Sequence, residues 1–192
     1  MRGYFAVGAE GISKPMNLGN LMRSAHAFGA NFFFTIDAHS RIRKAPPSDT
    51  SKSSGHLPLF HWPDIDSMDL PHGCQLVGVE LTDDAVDLPS FMHPLQAAYV
   101  LGPERGSLSP EMQARCAHII KIPTKFCLNI AIAGAIVLYD RHRVHGQYAE
   151  RAISSVGPRT TRPKHLHGGP ILRHGKKTVS DPDKAKAAGP KA

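Results

Sequence analysis

No apolar run in this chain of 192 residues is long enough to cross a bilayer. The opening stretch MRGYFAVGAEG also lacks the long apolar segment of a secretory signal. Both absences lead to the expectation of a cytoplasmic protein with no membrane partner. Cysteine is scarce: Cys74, Cys116 and Cys127 are odd in number, widely spaced and without a CxxC pair, which argues against a disulfide framework and a zinc knuckle. The pairs His142 and His145, and His165 and His167, have ligand-like spacing but no accompanying cysteine or carboxylate cluster, so no metal is expected. Cys127 has only Lys125 nearby in sequence to activate it, which disfavours a cysteine nucleophile. Familiar phosphate loops are missing too. Gly102 and Gly106 are four apart, without the third glycine of a dinucleotide fingerprint or the lysine of a Walker loop. No internal repeat is present.

What the chain does have is the balance of a globular protein, with 41% hydrophobic and 20% charged residues. Its length suits one domain of ordinary size. The net charge of +7 is unevenly placed. Residues 151–192 hold ten Lys and Arg against two Asp, whereas residues 1–150 hold thirteen against fourteen acids. A nearly neutral body over 1–150 is therefore followed by a basic, Pro/Gly/Lys-rich tail over 151–192, too poor in large apolar residues to fold by itself. Such a tail serves solubility or neutralises phosphates, and charge of one sign on a flexible arm favours nucleic acid.

Along the body, apolar strands alternate with helices. YFAVGAEGI, NFFFTI, LPLFHW, CQLVGVEL, AAYVLGPE and HIIKIP read as strands. Asn17 is expected to cap a helix over about 18–28, whose Leu18, Leu21, Met22, Ala25 and Phe28 form one stripe before Gly29. Ser109 caps a short helix with Pro110 at its first position, and Asn129 opens a last helix. The pattern predicts an α/β fold with a mostly parallel sheet flanked by helices. The last helix is apolar all round over 130–139, so it should be buried on nearly every side. In so small a domain that points to a homodimer. The long polar stretch DAHSRIRKAPPSDTSKSSGH reads as a functional or mobile loop, and its Arg41, Arg43, Lys44 and Lys52 are candidate nucleic-acid-binding residues.

Three short stretches stand out together. KPMNLGNLMR places Asn17, Gly19 and Arg23 around a helix start; LGPERGSLS ends a strand with Gly102 and Glu104; IKIPTKFCLNIAIAGA joins Ile122 and Pro123 to Cys127, Leu128 and Asn129. Taken singly, Arg23 is a solvated arginine, Asn17 and Asn129 are plain caps, and Glu104 with Arg105 is a surface pair in a glycine turn. In this order and at these separations the chain resembles the SpoU (TrmH) family of RNA ribose 2′-O-methyltransferases, within the SPOUT superfamily. The resemblance spans roughly residues 5–145.

The resemblance implies a fold with a C-terminal trefoil knot, an exception to unknotted topology. It implies S-adenosyl-L-methionine as cofactor, held mostly by backbone near Leu81, Gly102, Ile122, Cys127 and Leu128. It also implies catalysis by Arg23, supported by Asn17, Glu104 and Asn129, with Glu104 projecting toward the reacting centre and Arg23 also touching RNA. The family's glycine before the leucine of the second motif is Ser107 here, and the serine of the third motif is Cys127, a weaker donor. The partner implied is a structured RNA, tRNA ahead of rRNA because the body shows no separate N-terminal RNA-binding domain. Two competitors are a base-methylating SPOUT enzyme and a non-catalytic RNA-binding protein that keeps the fold. The set Asn17, Arg23, Glu104 and Asn129 argues against the first, and cofactor binding discriminates the second.

Overall fold

A strand covered by helices on both faces carries a nearly unbroken apolar run, because neither set of alternating side chains meets water. The structure, a computed structural model, describes residues 3–40, 42, 55–146 and 148. Seven strands are found among them: β1 (Tyr4–Glu10), β2 (Phe32–Ile36), β3 (Leu59–Trp62), β4 (Gln75–Val79), β5 (Val86–Asp87), β6 (Gln96–Leu101) and β7 (His118–Lys121). They form one sheet in the order β3-β2-β1-β6-β4-β7-β5, and every neighbouring pair is parallel. The expected α/β class with a parallel sheet is the observed one. The two-residue β5 and the 3-10 turn Leu88–Ser90 were not expected; elements that short leave no periodic pattern.

The helices that flank the sheet among the described residues are α1 (Pro15–Phe28), α2 (Pro110–Arg115) and α3 (Ile130–His145). Alternate strand residues divide between two cores. Phe5, Val7, Phe33, Tyr99 and Leu101 meet Leu18, Leu21, Met22 and Ala25 of α1 and Val137 and Leu138 of α3. Ala6, Phe34, Leu76, Ala98 and Val100 meet Met112 of α2. Gly134 lets α3 lie close on α1, since a β-carbon there would collide with Leu21. Gly29 ends α1 in the left-handed region, at φ 82°, as expected of a C-terminal glycine. Among the described residues no helix is long and apolar enough to cross a membrane.

One expectation needs correction. Asn17 does not cap α1: the helix starts at Pro15 with Lys14 in the cap position, because proline lacks the N–H that a first turn leaves unpaired. The inner side of α3 is buried, but its outer side is not, and Ile132 and Tyr139 are each 56% exposed in the single chain. The chain divides into Met1–Tyr148 and Ala149–Ala192. The basic tail over 151–192, like Arg41, Arg43, Lys44 and Lys52, lies outside the described residues.

The far end of α3 is anchored by polar groups rather than by a greasy face. Arg141 is 1% exposed. Its guanidinium donates to the carbonyls of Pro94 and Leu95 and to the Tyr99 hydroxyl, and lies 4.9 Å from the centre of the Phe5 ring. Beside it, His93 Nδ1 meets the Tyr99 hydroxyl at 2.6 Å and Nε2 meets Asp140 at 3.2 Å. Burial pulls the His93 imidazole below its ordinary value of 6.5; Asp140 opposes this, while Arg141 and His145 reinforce it. The folded protein then binds fewer protons here than the unfolded chain. Its contribution to stability is complete above that ordinary value and is lost as pH falls through it toward the lowered one. Denaturant melts should accordingly show lower stability at about pH 5.5 than at about pH 7.5, with His93→Gln flattening the difference. An identical acid loss in the variant would assign that loss to other groups.

Candidate active site

Parallel strands deliver their carboxyl ends to one edge of the sheet, where ligands of open α/β folds bind. β6, β4 and β7 end side by side here, and a cavity of about 200 Å³ opens between the loops that leave them and the start of α3. The residues singled out for cofactor binding, Leu81, Gly102, Ile122, Cys127 and Leu128, all line it. So do Asn17, Glu104 and Asn129. Residues separated by more than a hundred positions in sequence thus share one wall.

Three carboxylates set the shape of this edge. Glu10, at the end of β1, accepts from the Ser109 backbone N–H at 2.9 Å and from its hydroxyl at 2.6 Å. Glu80, just after β4, accepts from the N–H of Leu108 at 2.7 Å and of Leu81 at 3.0 Å. Together they hold the α2 end of the turn between β6 and α2, where Ser109 caps α2 through the Met112 N–H. Gly102 permits this closure. A β-carbon there would sit 3.0 Å from the Leu108 nitrogen and 3.3 Å from a Glu80 oxygen. Neither Glu10 nor Glu80 was singled out from the sequence. The available signal was a glutamate closing an otherwise buried apolar run, in VGAEG and VGVEL.

Glu104 lines the cavity with both carboxylate oxygens engaged. One oxygen accepts from the Ser13 N–H and hydroxyl, the other from the Lys14 N–H at 2.9 Å and Asn17 Nδ2 at 3.1 Å. It therefore ties the chain entering α1, and the Asn17 side chain in its first turn, to the loop after β6. Burial alone would raise its pKa; the bonds from Asn17, Lys14 and Ser13 outweigh burial and hold it below the ordinary 4.5. Asn129 Nδ2 donates to Asn17 Oδ1 at 3.1 Å while Asn129 Oδ1 caps α3 through the Ala131 N–H. The loop after β6, α1 and α3 are thus joined in series through Glu104, Asn17 and Asn129.

Arg23 is not in the cavity. It is exposed on α1 and lines a second, shallower groove with Met16, Asn20, Ser24 and the outer residues Ile132 and Tyr139 of α3. Asn17 and Asn129 line both hollows and form the partition between them. The cavity itself has apolar walls, from Val79, Leu101, Ile122 and Leu128, with two carboxylates, Glu80 and Glu104, and two lysines, Lys14 and Lys121. Cys127 presents an exposed thiol at its edge.

Comparison with known proteins places these features in a lineage. The model of the SpoU rRNA Methylase family matches residues 4–139. The tRNA (guanosine(18)-2′-O)-methyltransferase of Escherichia coli strain K12 is 25% identical over 139 residues, 70% of this chain and 61% of that protein. The SpoU methyltransferase AviRb from Streptomyces viridochromogenes, solved in complex with AdoMet, superimposes with a TM-score of 0.62 at 25% identity, covering 74% of this chain and 61% of that one. A structure concerned with 2-OH methylation of C/U34 on tRNA shares the fold, with a TM-score of 0.64 at 22% identity over 74% of this chain and 96% of that one. The chain spans about 60% of the length of the first curated relatives it matches.

The Glu104 clamp has a measurable weight. Glu104→Ala should lower unfolding stability by about 1–2 kcal/mol, the usual scale for losing a cap and charged hydrogen bonds. Because the carboxyl is held below its ordinary 4.5, the clamp's contribution is complete above that value and fades as pH falls through the lowered pKa. The gap between native and variant should therefore narrow in acid. Equal urea midpoints at neutral pH would show that the clamp does not hold α1.

Proposed function

The chain belongs to the SpoU rRNA methylase family, and from that premise we propose that it is an S-adenosylmethionine-dependent methyltransferase acting on a ribose 2′-hydroxyl of a structured RNA, tRNA ahead of rRNA. The observation that carries this reading is the convergence of Asn17, Gly102, Glu104, Ile122, Leu128 and Asn129 on one cavity at the strand ends. When bound, the cofactor supplies an electrophilic sulfonium methyl group. Leu81, Ile122 and Leu128 offer it apolar contact, and Gly102 leaves the backbone open to it. Glu80 and Glu104 would add negative charge to the wall that holds it. Cys127 takes part through its backbone, since its thiol is a weak donor.

The ribose hydroxyl is a very weak acid and must be held in line while it loses its proton. Glu104 is a positioning residue here, because its oxygens are already taken by α1. Arg23 stays protonated and is a poor base, so its part is to grip the neighbouring phosphate and offset developing negative charge. Asn17 and Asn129 keep the helix that carries Arg23 in register with the cavity.

The working form is a homodimer. Arg23 shares its groove with Met16, Ile132 and Tyr139, exposed by 68%, 56% and 56%, a patch that a second copy would cover. RNA would then lie across both subunits. The loops after β6 and β7 are read as a trefoil knot, and membership of the family is what supports that reading. Arg41, Arg43, Lys44, Lys52 and the basic tail add phosphate contacts in a cytoplasmic enzyme.

Arg23→Ala is the variant that tests the assignment. Loss of a transition-state contact of this kind costs on the order of a hundredfold or more in rate. Cofactor affinity and thermal stability should stay close to native, because the side chain is exposed. Methyl transfer to RNA at near-native rate by this variant would remove Arg23 from the reaction.

A further inference from the structure

The loop joining β7 to α3 carries the most exposed aromatic side chain among the described residues, Phe126 at 75%. A bare phenyl ring forgoes the free energy that burial would return, so its placement is informative where the backbone beneath it is fixed. Here it is fixed. The Thr124 N–H donates to the Ile122 carbonyl at 2.7 Å, and the Thr124 hydroxyl donates to the Phe126 carbonyl at 2.9 Å. Immediately after Phe126, the residues Cys127, Leu128 and Asn129 form part of the cavity wall, and Asn129 is tied to both α3 and Asn17. The ring itself is not part of that wall, so it stands at the rim.

Its surroundings narrow what it faces. Phe60, another exposed ring, already has Phe32 and Trp62 as neighbours. Phe126 has no ring partner among the described residues. Next to it is Lys125; Lys14 lines the same cavity, and Arg105 lies between its lining residues Glu104 and Gly106, all three exposed and none ion-paired among the described residues. The rim's two carboxylates, Glu80 and Glu104, are occupied by backbone N–H groups. A bare ring among unpaired cations is the combination that binds unpaired nucleotides, by stacking on the base and neutralising its phosphates. In a duplex both faces of each base are already covered, and the ring would gain nothing.

We propose that Phe126 is a stacking platform for an unpaired nucleobase of the RNA, with Lys125, Lys14 and Arg105 receiving the flanking phosphates. The modified nucleotide then belongs to a loop or bulge and not to a helix. That last step rests on the methyltransferase reading; the stacking contact does not.

The test is binding, read by fluorescence anisotropy, of a labelled RNA hairpin with an unpaired loop and of a fully paired RNA duplex of the same length. The native chain should prefer the hairpin. Phe126→Ala should lose about five- to hundredfold in hairpin affinity, the range for one base stacked on an aromatic ring, with duplex affinity unchanged. Phe126→Trp should stay within about twofold of native on the hairpin, because indole also stacks. Unchanged cofactor affinity in both variants confirms an intact fold. Equal hairpin affinity for native and Phe126→Ala, equal losses on hairpin and duplex, or a Trp variant as weak as Ala would each overturn the proposal. So would a Phe126→Ala chain that sediments as a monomer where the native chain is a dimer, since the ring would then be covered by a second copy. Native protein that passes this test yet transfers no methyl group would overturn the proposed reaction and leave the stacking contact standing.

Discussion

Four hydrogen bonds converge on the Glu104 carboxylate, and the arrangement of the cavity depends on them. They join the loop after β6 to the first turn of α1, which carries Asn17 toward the cavity and Arg23 toward the neighbouring groove. A carboxylate is suited to this because it accepts several donors at once, and each accepted N–H stabilises its ionised form. Glu10 and Glu80 repeat the device on the adjacent strands. The strand ends therefore hold one another through side-chain oxygens where the ladder of the sheet has stopped.

The same helices have a second attachment at the opposite end of β6. Buried Arg141 binds the carbonyls of Pro94 and Leu95, where the chain is about to enter β6, while His93, Tyr99 and Asp140 complete the network. α3 is thus pinned at its start by Asn129 and near its end by Arg141. Between these points its inner face packs on α1 through Gly134, and its outer face remains open beside Arg23. That uncovered apolar side is the surface the proposed homodimer would bury.

Much of this was legible in the sequence, and the misses share a physical cause. The strands could be read because parallel strands buried on both faces are continuous apolar runs. The caps Ser109 and Asn129 could be read because each bonds a backbone N–H two or three residues away. The clamp on the chain entering α1 could not, since its carboxylate comes from a residue about ninety positions further along. Asn17 looked like a cap for the same local reason, and only the tertiary contact shows it as a link between Glu104 and Asn129. Arg141 gave no sign of burial, because a charged residue near a helix end normally reaches water. Glu10 and Glu80 sat in plain sight at strand ends, but a partner found only in three dimensions decides their role.

The most direct test is chemical. RNA incubated with the full chain and methyl-labelled S-adenosylmethionine is hydrolysed with alkali, and the position of the label is read. Alkaline cleavage needs a free 2′-hydroxyl, so a methylated ribose protects the phosphodiester beside it. Label in alkali-resistant dinucleotides is the expected result. Label confined to mononucleotides, or no transfer to any RNA from cells lacking the protein, would contradict ribose methylation by this chain.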